Sequence, residues 1–396
     1  MEKTNRKKDL LALIGIILLV YLVFVLFTGI GPFTENPYNS YSLQAKAWLE
    51  GRLDLGQNYS HLEIATYEGK YYISFPPFPS MVMLLFVPFM GVQTPDHLLC
   101  FLALLLGAVF AYMTAVRLKW EGKYAVVASL FLTIGGNLIF VGFCGWVWFI
   151  AQTFSFALCM AAFYFAIGGG KKGAFLSLFL LACAVGCRPF QLVYLPLILY
   201  LFWKKEKDTV LHLIKKYWYC CLPAFALGCV YMALNYFRFG NIFEFGHNYL
   251  PEFLEAADGQ FSLAYLPGNL LRLFQFPPMA NGVLSLPQFN GFAFYLASPL
   301  FLAVILSSWR LKNQVDKEKR RVIVLAFGLI IIHFLLLCMH KTMGGWQFGN
   351  RYTADALPAA FLAYLLLKQK PGWTDMALFV FGLSLNLVGA VLTYLI

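Results

Sequence analysis

Two carboxylates and three cations in this sequence stand where their chemistry could be used. Glu63, in the stretch HLEIATYEGKYYISFPPFPS (61–80), is flanked by Leu62, Ile64 and Ala65 and comes just before Tyr67. If those neighbours pack on an apolar body, the carboxylate is partly desolvated and its pKa rises, which suits a general base. Glu35, just past the first apolar run, is the rival for that role, and for either one a solvated loop carboxylate is the plainer alternative. Arg188 in GCRPF falls where helix-breaking Pro189 separates two apolar runs, so its guanidinium must snorkel, pair or hold an anion. Arg351 and Lys341 flank TMGGWQFGN, whose Gly344, Gly345 and Gly349 would let backbone N–H groups approach a ligand. A phosphate fits, because the planar fork of arginine binds its oxygens in pairs. Headgroup anchoring by Trp346, Tyr352 and Arg351 is the equally open reading. Glu244, His247 and Glu252 lack the tight spacing of a metal site, so no cofactor is expected and a divalent metal is not indicated. His333, alone on an apolar run, is assigned no role.

The elements that position these residues are membrane helices. The chain has 396 residues, of which 60% are hydrophobic and only 12% charged, with a mean hydropathy of +0.69. Soluble domains carry about 25% charge, and apolar runs of crossing length recur here from end to end. We expect an all-α polytopic membrane protein with about 11 spans: roughly 9–30, 97–116, 124–143, 150–168, 174–187, 189–203, 218–236, 291–309, 321–340, 354–368 and 374–395. The first run is too long for a cleaved signal and lacks a cleavage site, so it is expected to remain as a helix. The segment 81–92, a dozen apolar residues after Pro76, Pro77 and Pro79, fits an interfacial or re-entrant piece.

Charge fixes the expected orientation. With the N-terminus inside and 81–92 not crossing, 22 of the 30 Lys and Arg residues fall on the inner side, as the positive-inside rule requires. The net charge of +11 is therefore spread among inner loops. It forms no single basic face, and no nucleic-acid partner is expected. The C-terminus falls outside, and the short inner loops fit a bacterial plasma membrane. Two outer segments are long, 31–96 and 237–290. The first should begin with a helix capped by Asn39 or Ser40 and ended by Gly51, lying in the headgroup layer with Tyr41, Ala45, Trp48 and Leu49 on its apolar face and Ser42, Gln44, Lys46 and Glu50 elsewhere. The second opens with NYFRFGNIFEFGHNYLPEF, an aromatic loop suited to covering a ligand groove. The nine cysteines lie in or beside apolar runs and read as buried thiols. With no linker or repeat, residues 1–396 form one domain.

Five stretches taken in order, YSLQAKAWLEGRLDL, HLEIATYEGKYYISFPPFPSMVMLLFVPF, GCRPFQLVYLP, NYFRFGNIFEFGHNYLPE and GGWQFGNRYTADALPA, resemble the GT-C class of integral-membrane glycosyltransferases. That class includes protein O-mannosyltransferases, lipid A aminoarabinose transferases and the catalytic subunit of oligosaccharyltransferase. The resemblance implies a helical bundle with a long first outer loop containing interfacial helices, and a polyprenyl-phosphate-sugar donor. It also implies transfer to a lipid, glycan or protein acceptor on the outer face, with membrane lipids around the bundle. The class usually has a catalytic Asp soon after the first span, where this chain reads TENPYNSY, with Asn36 and Asn39 and no Asp. Glu35 neighbours that position, while Glu63 stands where related sequences often have Asp before YxGxYY. Either carboxylate would take the acceptor's proton, while Arg188, Arg351 and Lys341 would bind the donor phosphate. Two other functions stay open: a lipid or sugar transporter or flippase, and a non-catalytic envelope-assembly protein on the same fold.

Overall fold

The computed structural model describes residues 2–280, 283–286, 288–313 and 315–395. Asn281, Gly282 and Pro287 of the expected second outer loop, Gln314 of an expected inner segment, Met1 and Ile396 lie outside the described residues. Among the described residues six helices are long and apolar enough to cross a bilayer: Asn5–Thr28, Asp96–Arg117, Val147–Gly168, Val210–Phe239, Lys317–Met339 and Trp373–Leu395. Exposed Leu19, Leu26, Phe225, Ile331 and Val380 give them the oily outer surface of helices facing lipid. The chain is an integral membrane protein.

The other five expected spans are helical but short or interrupted. Residues 124–143 become Gly122–Thr133 and Leu138–Gly142, and 174–187 become the helix Gly170–Val185. Residues 189–203 begin as a 3-10 turn, Pro189–Tyr194, and continue as Leu195–Glu206. Residues 291–309 split into Phe294–Ala297 and Leu300–Ser307, and 354–368 form a 3-10 turn, Arg351–Ala356, running into Leu357–Leu367. Pro189, Pro196, Pro299 and Pro358 each sit at the start of such a piece, where a missing N–H leaves no helical bond unmade. Every residue of Leu357–Leu367 is buried. A helix apolar all round belongs at the centre of a bundle, and this one carries Arg351–Ala356 at its N-terminal end.

The segments expected on the outer side add a few short strands to a mostly helical chain. Three two-stranded antiparallel sheets occur among the described residues. The largest pairs Ile64–Tyr67 with Lys70–Ile73. Its turn, Glu68-Gly69, has φ of 48° and 73°, the doubly left-handed geometry that tight hairpins need. The others pair Met279–Ala280 with Val283–Leu284 and Gln288–Phe289 with Trp346–Gln347.

The expected first-loop helix forms over Ser40–Leu49, but with a different buried face. Ser42 and Gln44 are buried with Tyr41 and Ala45, while Leu49 is 54% exposed. Polar pairing explains the difference: Ser80 donates to Gln44 Oε1 at 2.8 Å and the Ser42 and Thr94 hydroxyls hydrogen-bond, so both polar residues can leave water. Asn39 is the N-cap residue, yet its side chain donates instead to the Val92 carbonyl at 3.0 Å. Segment 81–92 takes in the end of one short helix, Phe78–Met83, a turn, and a second short helix, Val87–Met90, with Leu85 and Phe89 exposed.

Candidate active site

The turn at the head of the central helix brings two charged side chains into the interior: Arg351 is 5% exposed and Asp355 6%. Arg188, from the break between Gly170–Val185 and Pro189–Tyr194, meets Asp355 there. Its Nε and Nη2 donate to Asp355 Oδ2 at 3.0 and 2.7 Å. The Asp355 Oδ1 accepts from Gln152 at 3.2 Å, and its backbone carbonyl accepts from the Tyr194 hydroxyl at 2.6 Å. Arg188 is thus paired, one of the three states open to it. An acid at the head of an apolar run requires a partner, and this was the signal in the sequence that could have singled out Asp355.

Arg351 is held differently. Gly344 adopts φ +112°, a left-handed conformation suited to glycine, and its carbonyl accepts from Arg351 Nε and Nη2 at 3.2 and 2.9 Å. Gln347 locks the loop by accepting from the Arg351 N–H and donating to the Met343 carbonyl, both at 2.7 Å. The glycine-rich loop therefore turns a carbonyl to Arg351. No carboxylate lies within 4 Å of Arg351 among the described residues, so a neutral carbonyl accepts from its guanidinium and no acid is paired with it directly. Arg188 and Arg351 each lie 4.6 Å from the centre of the Tyr352 ring, so one aromatic face region joins the two cations.

Glu63 enters from the segment expected as the first outer loop, immediately before the hairpin. Ile64 and Ile73 pack on the same cluster as Tyr41, Phe75 and Val147, which sinks the carboxylate between the first loop and the bundle. Trp148 Nε1 donates to Glu63 Oε1 at 2.9 Å. Burial pushes the Glu63 carboxyl above its ordinary range and the Glu252 charge adds to this; the Trp148 bond and the Arg351 charge oppose it. Glu63 and Arg351 are therefore within electrostatic reach of each other. Glu35 is placed elsewhere. It is exposed, accepts from Gln93 at 2.6 Å, and lines a separate cavity of about 470 Å³ with Asn39, Lys46, Arg52, Tyr59 and His61.

Lys341 sits at the rim. Its ammonium donates to the Glu252 backbone carbonyl and its N–H to the Gln260 carbonyl at 2.9 Å, pinning the second outer loop. That loop covers the site with aromatic rings. His340 has Phe253 at 5.4 Å, Phe261 at 4.8 Å and Tyr352 at 6.3 Å between ring centres. Burial drives His247 down to about 3 and His340 to about 4, so both imidazoles are neutral near pH 7 and add no charge. The structure brings Glu63, Arg188 and Arg351 together with Lys341 at the edge, and leaves Glu35 apart. Trp148, Asp355 and His340 were not singled out in the sequence, while Tyr352 was read there only as a headgroup anchor and His247 only against a metal site; the roles of all five depend on contacts between distant segments.

Among solved structures, the chain is similar to the crystal structure of ArnT from Cupriavidus metallidurans bound to undecaprenyl phosphate, with a TM-score of 0.56 and 13% identity. The same protein in the apo state gives a TM-score of 0.52 and 13% identity. Both likenesses cover 94% of this chain and 62% of the other. The chain has the GT-C fold. It spans 62% of the length of the ArnT chains it resembles. The archaeal oligosaccharyltransferase AglB from Archaeoglobus fulgidus gives 0.48 at 12% identity, over 97% of this chain and 56% of that one. No protein-family model and no curated protein sequence matches the chain. Within this GT-C fold, the cluster just described sits at one end of the central helix.

Proposed function

We propose that this chain is a membrane glycosyltransferase that moves a sugar from a polyprenyl-phosphate donor to an acceptor at the outer face of a bacterial plasma membrane. The observation that carries the proposal is Arg351, a buried guanidinium with no acid partner, beside the closed Arg188–Asp355 pair and within reach of Glu63. An unbalanced buried cation is a binding site for an anion, and the departing group of such a donor is a lipid phosphate. In the step, Glu63 takes the proton of the acceptor hydroxyl as its oxygen bonds to the anomeric carbon. The bond from that carbon to phosphate breaks, and its electron pair leaves on the polyprenyl phosphate beside Arg351 and Arg188. No cofactor enters this step. Eleven crossings with the C-terminus outside remain the proposed topology, the short and interrupted helices serving as the additional spans.

A second reading, a non-catalytic assembly protein, draws support from TENPYNSY, which has Asn36 and Asn39 and no Asp in the region where the class usually has its early acid. Both readings accept a lipid phosphate at Arg351, and only the enzyme needs Glu63. Arg351→Lys retains charge and loses the paired fork. In lipid nanodiscs it is expected to bind undecaprenyl phosphate about tenfold more weakly, since hydrogen bonds to charged groups are worth about 1.5–3 kcal/mol. Unchanged binding in both Arg351→Lys and Arg351→Gln would remove the phosphate site from Arg351.

A further inference from the structure

At the other end of the bundle lies a second cluster of cations. The Lys317–Met339 helix has 23 residues, roughly 34 Å at ~1.5 Å per residue, and it separates this cluster from Lys341 and Arg351. A cavity of about 340 Å³ is lined there by Arg310, Lys319, Lys368 and Lys370, with Gln369 and Gly372. No acidic side chain lines it.

Two of these cations are already matched. Lys368 donates to Asp375 at 2.6 and 2.5 Å, with the Gly372 N–H on the same carboxylate at 2.6 Å. Lys319 pairs with Asp316 at 3.3 Å, and Lys204 acts on Asp316 from alongside. Arg310 and Lys370 have no carboxylate within 4 Å among the described residues. The Arg310 Nε is moreover buried with no hydrogen-bond partner among the described residues. A buried donor without an acceptor costs stability unless a ligand supplies one. The cavity therefore combines two unbalanced positive charges with an unused, enclosed N–H.

We propose that this cavity binds a phosphate ester, and that the ester is the headgroup of an anionic phospholipid in the leaflet opposite the arginine site. The charge fits a mono- or dianionic phosphate, and a guanidinium with a free Nε–H edge is built for paired recognition of its oxygens. Depth favours a lipid over a soluble ester. Trp309 and Trp373, 58% and 93% exposed, adjoin the lining residues, and tryptophan settles at headgroup level. In the proposed topology this is the cytoplasmic leaflet, where anionic lipids reside.

Dioctanoyl phosphatidic acid, dioctanoyl phosphatidylcholine and inorganic phosphate are titrated against the full chain in detergent, with binding read by native mass spectrometry. Phosphatidic acid is expected to bind and phosphatidylcholine not, with Arg310→Gln and Lys370→Gln each weakening phosphatidic acid at least about tenfold and Lys171→Gln leaving it unchanged. Inorganic phosphate that binds as tightly as phosphatidic acid, with the same losses, would support the anion site and overturn its assignment to lipid. Lys370 is exposed, so its variant reports even where Arg310→Gln does not fold. Binding unaltered by either variant, or lost in Arg351→Gln instead, would overturn the site without touching the proposed transferase function.

Discussion

Replacing Asp355 with Asn removes a charge from the site while nearly preserving its shape, and two effects of opposite sign are expected. Stability should fall. Breaking a fully buried ion pair costs roughly 3–5 kcal/mol, but the Arg188 side chain is 22% exposed, and the amide oxygen still accepts one of its N–H groups. A loss of about 1–3 kcal/mol follows. Affinity for a lipid phosphate should rise, because Asp355 now cancels Arg188 at 2.7 Å. A carboxylate about 6 Å from a phosphate repels it by roughly 3 kcal/mol at an effective dielectric near 20. Solvent reduces this, leaving a gain of about tenfold to a hundredfold. Thermal unfolding and binding of a fluorescent short-chain polyprenyl phosphate are measured on the same nanodisc samples, alongside Arg188→Gln. Arg188→Gln/Asp355→Asn should recover much of the stability lost in Asp355→Asn, since neither charge then remains unpaired. An Asp355→Asn variant whose affinity falls to that of Arg188→Gln would refute the charge-balance reasoning, leaving Asp355 as the group that aims Arg188.

Glu63→Gln is expected to cut turnover on a defined hydroxyl acceptor by about 10²–10⁴-fold with donor binding intact; full activity there and in Glu35→Gln would eliminate the carboxylate mechanism. Because burial holds Glu63 above the 4.5 of an ordinary glutamate, the base is lost as pH falls through that raised value. The acid limb of kcat/KM should then lie above 4.5 and disappear in Glu63→Gln. For orientation, single cysteines at Gln57 and Asp258 in a cysteine-free background should react with an impermeant reagent from outside, and one at Glu121 only from inside; inside labelling at Gln57 would invert the topology.

Much of the frame is legible without coordinates, because a bilayer admits few solutions. Runs such as 9–30 and 374–395 can only be helices there, and the prolines at 189, 299 and 358 mark where helical pieces begin. What could not be read is what long-range contacts decide. Arg188 and Asp355 are 167 residues apart, and nothing local to GCRPF says whether its arginine will pair, snorkel or remain open. The same limit applies to Arg351, where the glycines signal a special turn but not that a carbonyl will face the guanidinium. On the Ser40–Leu49 helix the apolar pattern lost to polar pairing, because Ser80 and Thr94 arrive from another segment to meet Gln44 and Ser42. The burial of the Glu63 carboxyl was legible because its apolar neighbours are adjacent in sequence, while its Trp148 partner was not.

Asn36 offers a test of where the base resides. Its Nδ2 donates to Asp96 Oδ2 at 2.6 Å and to the Gly145 carbonyl at 3.0 Å, and its Oδ1 accepts from the Tyr38 N–H at 2.9 Å. Gly145 makes this closeness possible, since a Cβ there would stand 2.3 Å from the Asp96 carbonyl carbon. The amide is thus a donor to a buried carboxylate, a task a second carboxylate cannot perform. Asn36→Asp would set two carboxyls in contact, and one of them would have to retain a proton. Its folded pKa would lie above its unfolded value, so stability is retained at low pH and lost as pH rises through the folded value. A loss of about 1–3 kcal/mol is expected at pH 8, with much less at pH 5, read as thermal unfolding of variant and parent at both values. Turnover should not rise, because position 36 lines the cavity of Glu35 and not the cluster of Glu63, Arg188 and Arg351. An Asn36→Asp variant as stable as the parent at pH 8 and more active than it would place the base at the start of the outer loop, and Glu63 would revert to a structural carboxylate held by Trp148.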